Sequence, residues 1–142
     1  MNAKTTSSIH WSFWLISIIM LIWNIMGSIN FVVQMMNAEM VASMSETHRA
    51  IIDGRPVWAT AGFALAVFAG AIGCIFLLFK KSSAFYLFIA SLLGVVVTMI
   101  HTLSINIDFK IPDLIMMIVM PLIVAAFLTW YSKRANLKGW TS

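Results

Sequence analysis

The chain has 142 residues, of which 61% are hydrophobic and 10% are charged, and its mean hydropathy is +0.95. Because a soluble domain has about 25% charged residues, this composition excludes a water-facing shell and predicts that lipid is the main solvent of the chain. The basic residues behind the net charge of +4 are too few and too scattered for a nucleic-acid-binding surface, and the single cysteine, Cys74, excludes an internal disulfide.

Four segments are long and apolar enough to be transmembrane helices, which need about 20 mostly apolar residues. They cover approximately residues 13–36, 57–79, 85–105 and 112–131, and Asp113 is the only Asp, Glu, Lys or Arg within them. Lipid offers the backbone no hydrogen-bond partner, and no segment alternates as a barrel strand does. The sequence therefore predicts an all-α membrane protein, a four-transmembrane-helix bundle that forms one integral membrane domain over residues 1–142.

The first predicted span is apolar, but its segment LIWNIMGSINFVVQMM at residues 21–36 retains four polar side chains, Asn24, Ser28, Asn30 and Gln34. In hydrocarbon an amide needs a hydrogen-bond partner, which the interior of a helix bundle provides. We interpret this span as a retained helix, because its apolar run is longer than the 7–15 residues of a signal-peptide core.

The longest connection, the predicted outer loop at residues 37–56, contains apolar residues at helical spacing. Ser45 is a suitable N-cap and Gly54 a suitable stop for a short helix. We predict a short amphipathic outer-loop helix that lies on the outer membrane face. It is either a lid over a site between the spans or a passive surface helix.

The second span carries small residues four apart at Gly62, Ala66 and Gly70, with Gly73 beside them. Such spacing allows two helices to approach closely, so that van der Waals packing holds them together. We predict a helix-packing seam at these residues. The pattern fits a contact inside the chain and a contact between two copies equally well.

The third span has a narrow polar stripe, because Ser91, Gly94, Thr98 and His101 are spaced by 3, 4 and 3 residues. Two polar helix faces in lipid should turn towards each other, so we predict an intramembrane cluster between spans one and three. A histidine can change its charge near neutral pH, and both a proton-linked role and a structural hydrogen bond are open for His101. The predicted cluster either holds the helices together by hydrogen bonds or lines a polar cavity that binds a solute. It consists of Asn24, Ser28, Asn30, Gln34, Thr98 and His101.

Proline marks two points of the fourth span. Pro112 lies at its start, where a missing N–H costs nothing, and Asp113 follows in the first turn, where a negative charge suits the helix dipole. Pro121 lies inside the span and frees the carbonyl of Met117, so we predict a bend there.

The charges of the connections predict the direction of insertion. One side carries six basic residues and no acidic residue, whereas the other carries three basic residues (Arg49, Arg55 and Lys110) and all five acidic residues of the chain. By the positive-inside rule we place both termini in the cytoplasm. The six basic residues of the predicted cytoplasmic side are Lys4, Lys80, Lys81, Lys133, Arg134 and Lys138.

Three segments have a distinctive pattern, WNIMG at residues 23–27, PVWATAGFALAVFAGAIG at residues 56–73 and PLIVAAFLTWYSKRANLKGW at residues 121–140. They resemble a group of short bacterial inner-membrane proteins with four predicted spans, which often carry the label of sugar transporters. The resemblance implies a multi-pass protein of the bacterial cytoplasmic membrane, and the label implies transport of a sugar-like solute.

The sequence lacks the motifs of common catalytic sites. It has no cysteine pair, HExxH motif or glycine-rich phosphate loop, and its acidic residues all lie at or beyond a span boundary. We therefore predict no catalytic residue, no metal site and no cofactor. The preferred function is a non-enzymatic accessory or structural membrane component. The alternative is an oligomeric transporter of a small polar solute through a site between spans one and three.

The predicted partners follow from this composition. They are the lipid bilayer and either further copies of the chain or another membrane protein, and they do not include nucleic acid.

Overall fold

The computed structural model describes residues 9–105 and 108–142, and within these ranges it contains helices and no strand. Lys4, one of the six basic residues assigned to the cytoplasmic side, lies outside the described residues. The prediction of an all-α chain is confirmed for the part that the structure describes.

Four long helical segments run through the described chain, and each is long and apolar enough to cross a membrane. The first three are single helices, and the fourth is a short helix, a π-helical turn and a long helix in succession. This confirms the prediction of four helices that are long and apolar enough to be spans. The segments are α1 (Trp11–Met36), α4 (Val57–Leu78), α5 (Ala84–Ser104) and the series α6 (Ile111–Leu114), π-turn (Ile115–Val119) and α7 (Met120–Leu137).

The connection between α1 and α4 contains two short helices, α2 (Ala38–Ala42) and α3 (Glu46–Ile52). Ser45 is the N-cap of α3, since its hydroxyl accepts a hydrogen bond from the backbone N–H of His48 at 3.3 Å. Gly54 follows the end of α3 with a φ of +76°, a conformation that glycine adopts without strain. The position of this connection on the outer membrane face stays a prediction.

The contact between α4 and α5 is a direct approach of two backbones. A Cβ added at Gly94 would lie 2.5 Å from the carbonyl oxygen of Gly62 and 2.6 Å from the backbone nitrogen of Ala66. A Cβ added at Gly73 would lie 2.7 Å from the ring of Phe88. The small residues of the second span therefore form a helix-packing seam within the chain.

One end of the bundle is closed by the chain after α7. The backbone N–H of Ser142 donates to the carbonyl oxygen of Lys80 at 2.9 Å, and the N–H of Ser82 donates to the carbonyl oxygen of Ser142 at 3.0 Å. The ring of Trp140 packs edge-on against the buried ring of Phe13, with 5.8 Å between centroids. These contacts join the start of α1, the α4–α5 connection and the end of α7.

Close to Pro121, where the sequence predicts a bend, the helix contains a π-turn. The N–H of Met120 donates to the carbonyl oxygen of Ile115, five residues earlier, directly before the proline. Proline has no N–H to donate to the carbonyl of Met117, so the helix hydrogen-bond pattern is interrupted at this point.

We expect Gly94→Ala to destabilise the protein. The added methyl group would clash with backbone atoms of α4, which can move away only if α4 and α5 separate. Such overpacking lowers the free energy of unfolding by up to about 3 kcal/mol. Higher helix propensity offsets about 1 kcal/mol of this. The measurement is the free energy of unfolding by titration with sodium dodecyl sulfate in mixed micelles.

Gly27→Ala is the matched control. Its added Cβ would meet only the side chain of Val67, with the nearest methyl carbon at 2.9 Å, and that methyl group can shift. The control should be close to neutral. Equal losses of stability in both variants would contradict a special role for the Gly62–Gly94 contact.

Candidate functional site

Asn24 is buried where α1 packs against α4. Its Nδ2 donates to the carbonyl oxygen of Met20 at 2.8 Å and lies 3.7 Å from Sγ of Cys74. Its Oδ1 occupies the position that a side chain on Gly70 would take, and Oγ of Ser91 lies 3.2 Å from that same position. Gly70 is therefore the point at which a polar side chain of α1 and one of α5 converge.

The hydroxyl groups of Ser28 and Thr98 are bonded to backbone carbonyls. Ser28 donates to the carbonyl oxygen of Asn24 at 2.9 Å and lies 3.4 Å from that of Val67 on α4. Thr98 donates to the carbonyl oxygen of Gly94, one turn earlier on its own helix, at 2.9 Å. Ser28 thus adds a contact between α1 and α4, whereas the hydroxyl of Thr98 stays within α5.

Asn30 and Gln34 belong to a second group of contacts at the far end of α1. Gln34 Nε2 donates to Asn30 Oδ1 at 3.2 Å, and Gln34 Oε1 accepts from Nη1 of Arg55 at 3.1 Å. Arg55 Nε donates to Oγ1 of Thr60 at 3.3 Å, and the guanidinium lies over the ring of Phe63, 5.3 Å from its centroid. This group joins the end of α1 to the start of α4.

The sequence patterns do not predict the contacts of Arg55 with Gln34 and Thr60. In the sequence, Arg55 served only as one of the charges that predict the direction of insertion. The feature that could have indicated these contacts is the position of Arg55 directly before Pro56, where the second span begins. A long side chain there can reach polar side chains at the end of the first span. Arg55 is half-buried, and this burial lowers the pKa of its guanidinium. Because an arginine pKa stays above the physiological range in proteins, the group remains a cation.

His101 is buried beneath the connection between α1 and α4. Its Nε2 lies 3.4 Å from the carbonyl oxygen of Ile51 in α3, and its ring meets the ring of Trp58 edge-on, with 5.9 Å between centroids. The ten residues from Ser91 to His101 correspond to about 15 Å along the helix. His101 is therefore well separated from the contact at Gly70.

The structure divides the six residues of the predicted cluster among different contacts. Asn24 and Ser28 lie against α4, Asn30 and Gln34 connect to Arg55, and His101 lies beneath α3. Polar side chains of spans one and three do converge at Gly70, but the partner there is Ser91, which the predicted cluster did not include.

Within residues 9–105 and 108–142, no group of three or more His, Cys, Asp or Glu side chains is arranged to hold a metal ion. The described groups can donate and accept hydrogen bonds, and Arg55 adds a fixed positive charge. The chemistry that this arrangement supports is polar recognition and helix association.

Comparison with known proteins gives no relative from which a role could be transferred. No protein-family model, no curated protein and no solved structure matches the chain.

Proposed function

We propose that this protein is a non-enzymatic, multi-pass component of the bacterial inner membrane that supports a larger membrane assembly. The observation that carries the proposal is the use of Asn24, the most deeply placed amide of the first span, as a packing contact. Its amide is buried against Gly70 and bonded within the chain, which leaves little of it for a solute. A polar side chain that is used in this way stabilises the bundle.

The proposed orientation places both termini in the cytoplasm and the connection between α1 and α4 outside. Its support is the charge pattern, since every acidic residue of the chain lies on the side opposite the α4–α5 connection. The proposed bacterial membrane rests on the resemblance of three sequence segments.

We expect Asn24→Ala to lower the free energy of unfolding by about 1–2 kcal/mol, because it removes the contact of the amide with Cys74 on α4 and leaves a gap beside Gly70. Asn30→Ala is the comparison variant, because the same amide is exposed on the same helix and is bonded only to the side chain of Gln34 among the described residues, so the loss should be smaller. Unfolding in mixed micelles measures both values. A neutral Asn24→Ala would show that this amide is not a packing contact and would reopen a solute-binding role.

Cysteine labelling tests the proposed orientation. Cys74 is 0% exposed, so the parent chain should not react with a membrane-impermeant maleimide. In spheroplasts, we expect Ser43→Cys to be labelled from outside and Ser83→Cys only after lysis, since both serines are exposed and lie in opposite connections. The reverse pattern would mean that the chain is inserted in the opposite direction.

Purification in mild detergent tests the accessory role. A chain with an N-terminal affinity tag should retain one defined membrane protein in constant proportion, and an unrelated four-span protein with the same tag should not. The purified chain should also fail to accumulate labelled sugars in sealed vesicles. Uptake that is lost in Gln34→Leu, without any retained partner, would contradict the proposal and favour a transporter.

A further inference from the structure

The contacts of Arg55 form a small polar site at the junction of α1 and α4. We call it the Arg55 cluster and define it by Asn30, Gln34, Arg55, Thr60 and Phe63. The guanidinium is held from two sides by neutral groups, the amide of Gln34 and the hydroxyl of Thr60, and from a third by the ring of Phe63. Its orientation is therefore fixed by α1 and α4 together.

This half-buried cation has no acidic partner among the described residues. Its hydrogen bonds go to Gln34 and Thr60, and it forms no ion pair with any residue in the ranges 9–105 and 108–142. Asp53, two residues earlier, has an exposed side chain. Removing a charged group from water is costly unless an opposite charge or sufficient hydrogen bonds replace the water, so the site favours an anion.

The hydrogen-bonding capacity that the cluster leaves unused consists mainly of donors. A guanidinium has five N–H groups, and two of the Arg55 nitrogens, Nε and Nη1, each make one described bond. The Nδ2 group of Asn30 donates to no described residue, while Oδ1 of the same side chain is occupied by Gln34. Gln34 binds Arg55 through its oxygen and Asn30 through its nitrogen, so the two side chains with unused donors are joined through one shared neighbour.

We propose that the Arg55 cluster binds a phosphate group, whose oxygens would accept hydrogen bonds from the guanidinium of Arg55 and from the amide of Asn30. The planar fork of an arginine matches phosphate oxygens in a bidentate arrangement, and such charge-assisted bonds are about twice as strong as neutral ones. Phosphate occurs both in lipid headgroups and as a free or ligand-borne group. This binding site is independent of the proposed accessory role.

The location of the cluster suits the headgroup of a phospholipid. Arg55 directly precedes Pro56, the N-cap of the apolar helix α4, and the exposed ring of Trp58 follows within the first turn. Indole rings favour the headgroup level of a membrane, so the guanidinium lies near the depth of lipid phosphates.

Native mass spectrometry of the delipidated full chain in a neutral detergent tests the site. The probes are dioleoyl phosphatidic acid, dioleoylglycerol as the same lipid without phosphate, and inorganic phosphate as competitor. The parent chain should retain the phospholipid in preference to dioleoylglycerol. Arg55→Gln should weaken this binding about tenfold or more, because bonds to a charged group are lost.

Matched variants distinguish binding at the Arg55 cluster from a nonspecific effect of positive charge on lipid binding. Arg49→Gln removes the same charge from an exposed side chain of α3, six residues earlier, and should leave lipid binding unchanged. Arg55→Lys keeps the charge without the fork, and Asn30→Ala removes the amide donor together with the oxygen that accepts from Gln34, so both should weaken binding by a few-fold.

The outcomes distinguish the source of the phosphate. Displacement of the lipid by inorganic phosphate would identify a site for a free phosphate group, and lipid binding without displacement would identify a headgroup site. Unchanged affinity in Arg55→Gln, equal loss in Arg49→Gln, or binding of neither probe would overturn the proposal. If Arg55→Gln does not fold, as judged by size-exclusion chromatography, unchanged affinity in both Arg55→Lys and Asn30→Ala would overturn it.

Discussion

The arrangement of the bundle depends on the contact between the backbones of α4 and α5 at Gly62 and Gly94. Lipid removes the hydrophobic driving force between helices, so association relies on close packing and on hydrogen bonds. Without side chains at these two positions the backbones touch, and Oγ of Ser91 reaches the carbonyl oxygen of Ala66 at 2.5 Å. The close packing of α4 and α5 also brings Ser91 next to Gly70, and the side chain of Asn24 is buried against Gly70. The position of α1 is therefore coupled to the contact between two other helices.

The two asparagines of α1 show how helix geometry gives one residue type two environments. Asn24 and Asn30 are six residues apart, which at about 100° per residue places them about 120° apart around the helix. One therefore faces α4 and is buried, while the other lies on the exposed side and is held by Gln34. Burial removes the first amide from contact with ligands, whereas the second keeps an unused donor group. The role of a polar residue in a span thus depends on the helix face on which it lies as well as on its chemistry.

Much of the architecture follows from patterns within single segments. Hydropathy and length locate the four spans, and the spacing of small residues locates the seam of α4. These patterns do not predict which helix packs against which face. Spacing shows which residues share a face of one helix, but it does not show which other helix covers that face. Ser91 joins Asn24 at Gly70, whereas Thr98, on the same polar stripe, bonds to its own helix. The bond from Arg55 to Gln34 also depends on the path of the connection at residues 37–56, which no local pattern specifies.

The two ends of the bundle are held by different kinds of interaction. At the end where α1 begins, backbone hydrogen bonds between Ser142 and the α4–α5 connection combine with the buried ring of Phe13. At the other end, the connection at residues 37–56 is held through side chains, with Arg55 on Gln34 and His101 3.4 Å from the carbonyl of Ile51. Backbone pairing together with a buried aromatic contact resists local opening better than a few long side-chain bonds at a surface. Local opening of the bundle should therefore begin at the connection that contains α3, and it would expose the imidazole of His101, which this connection covers.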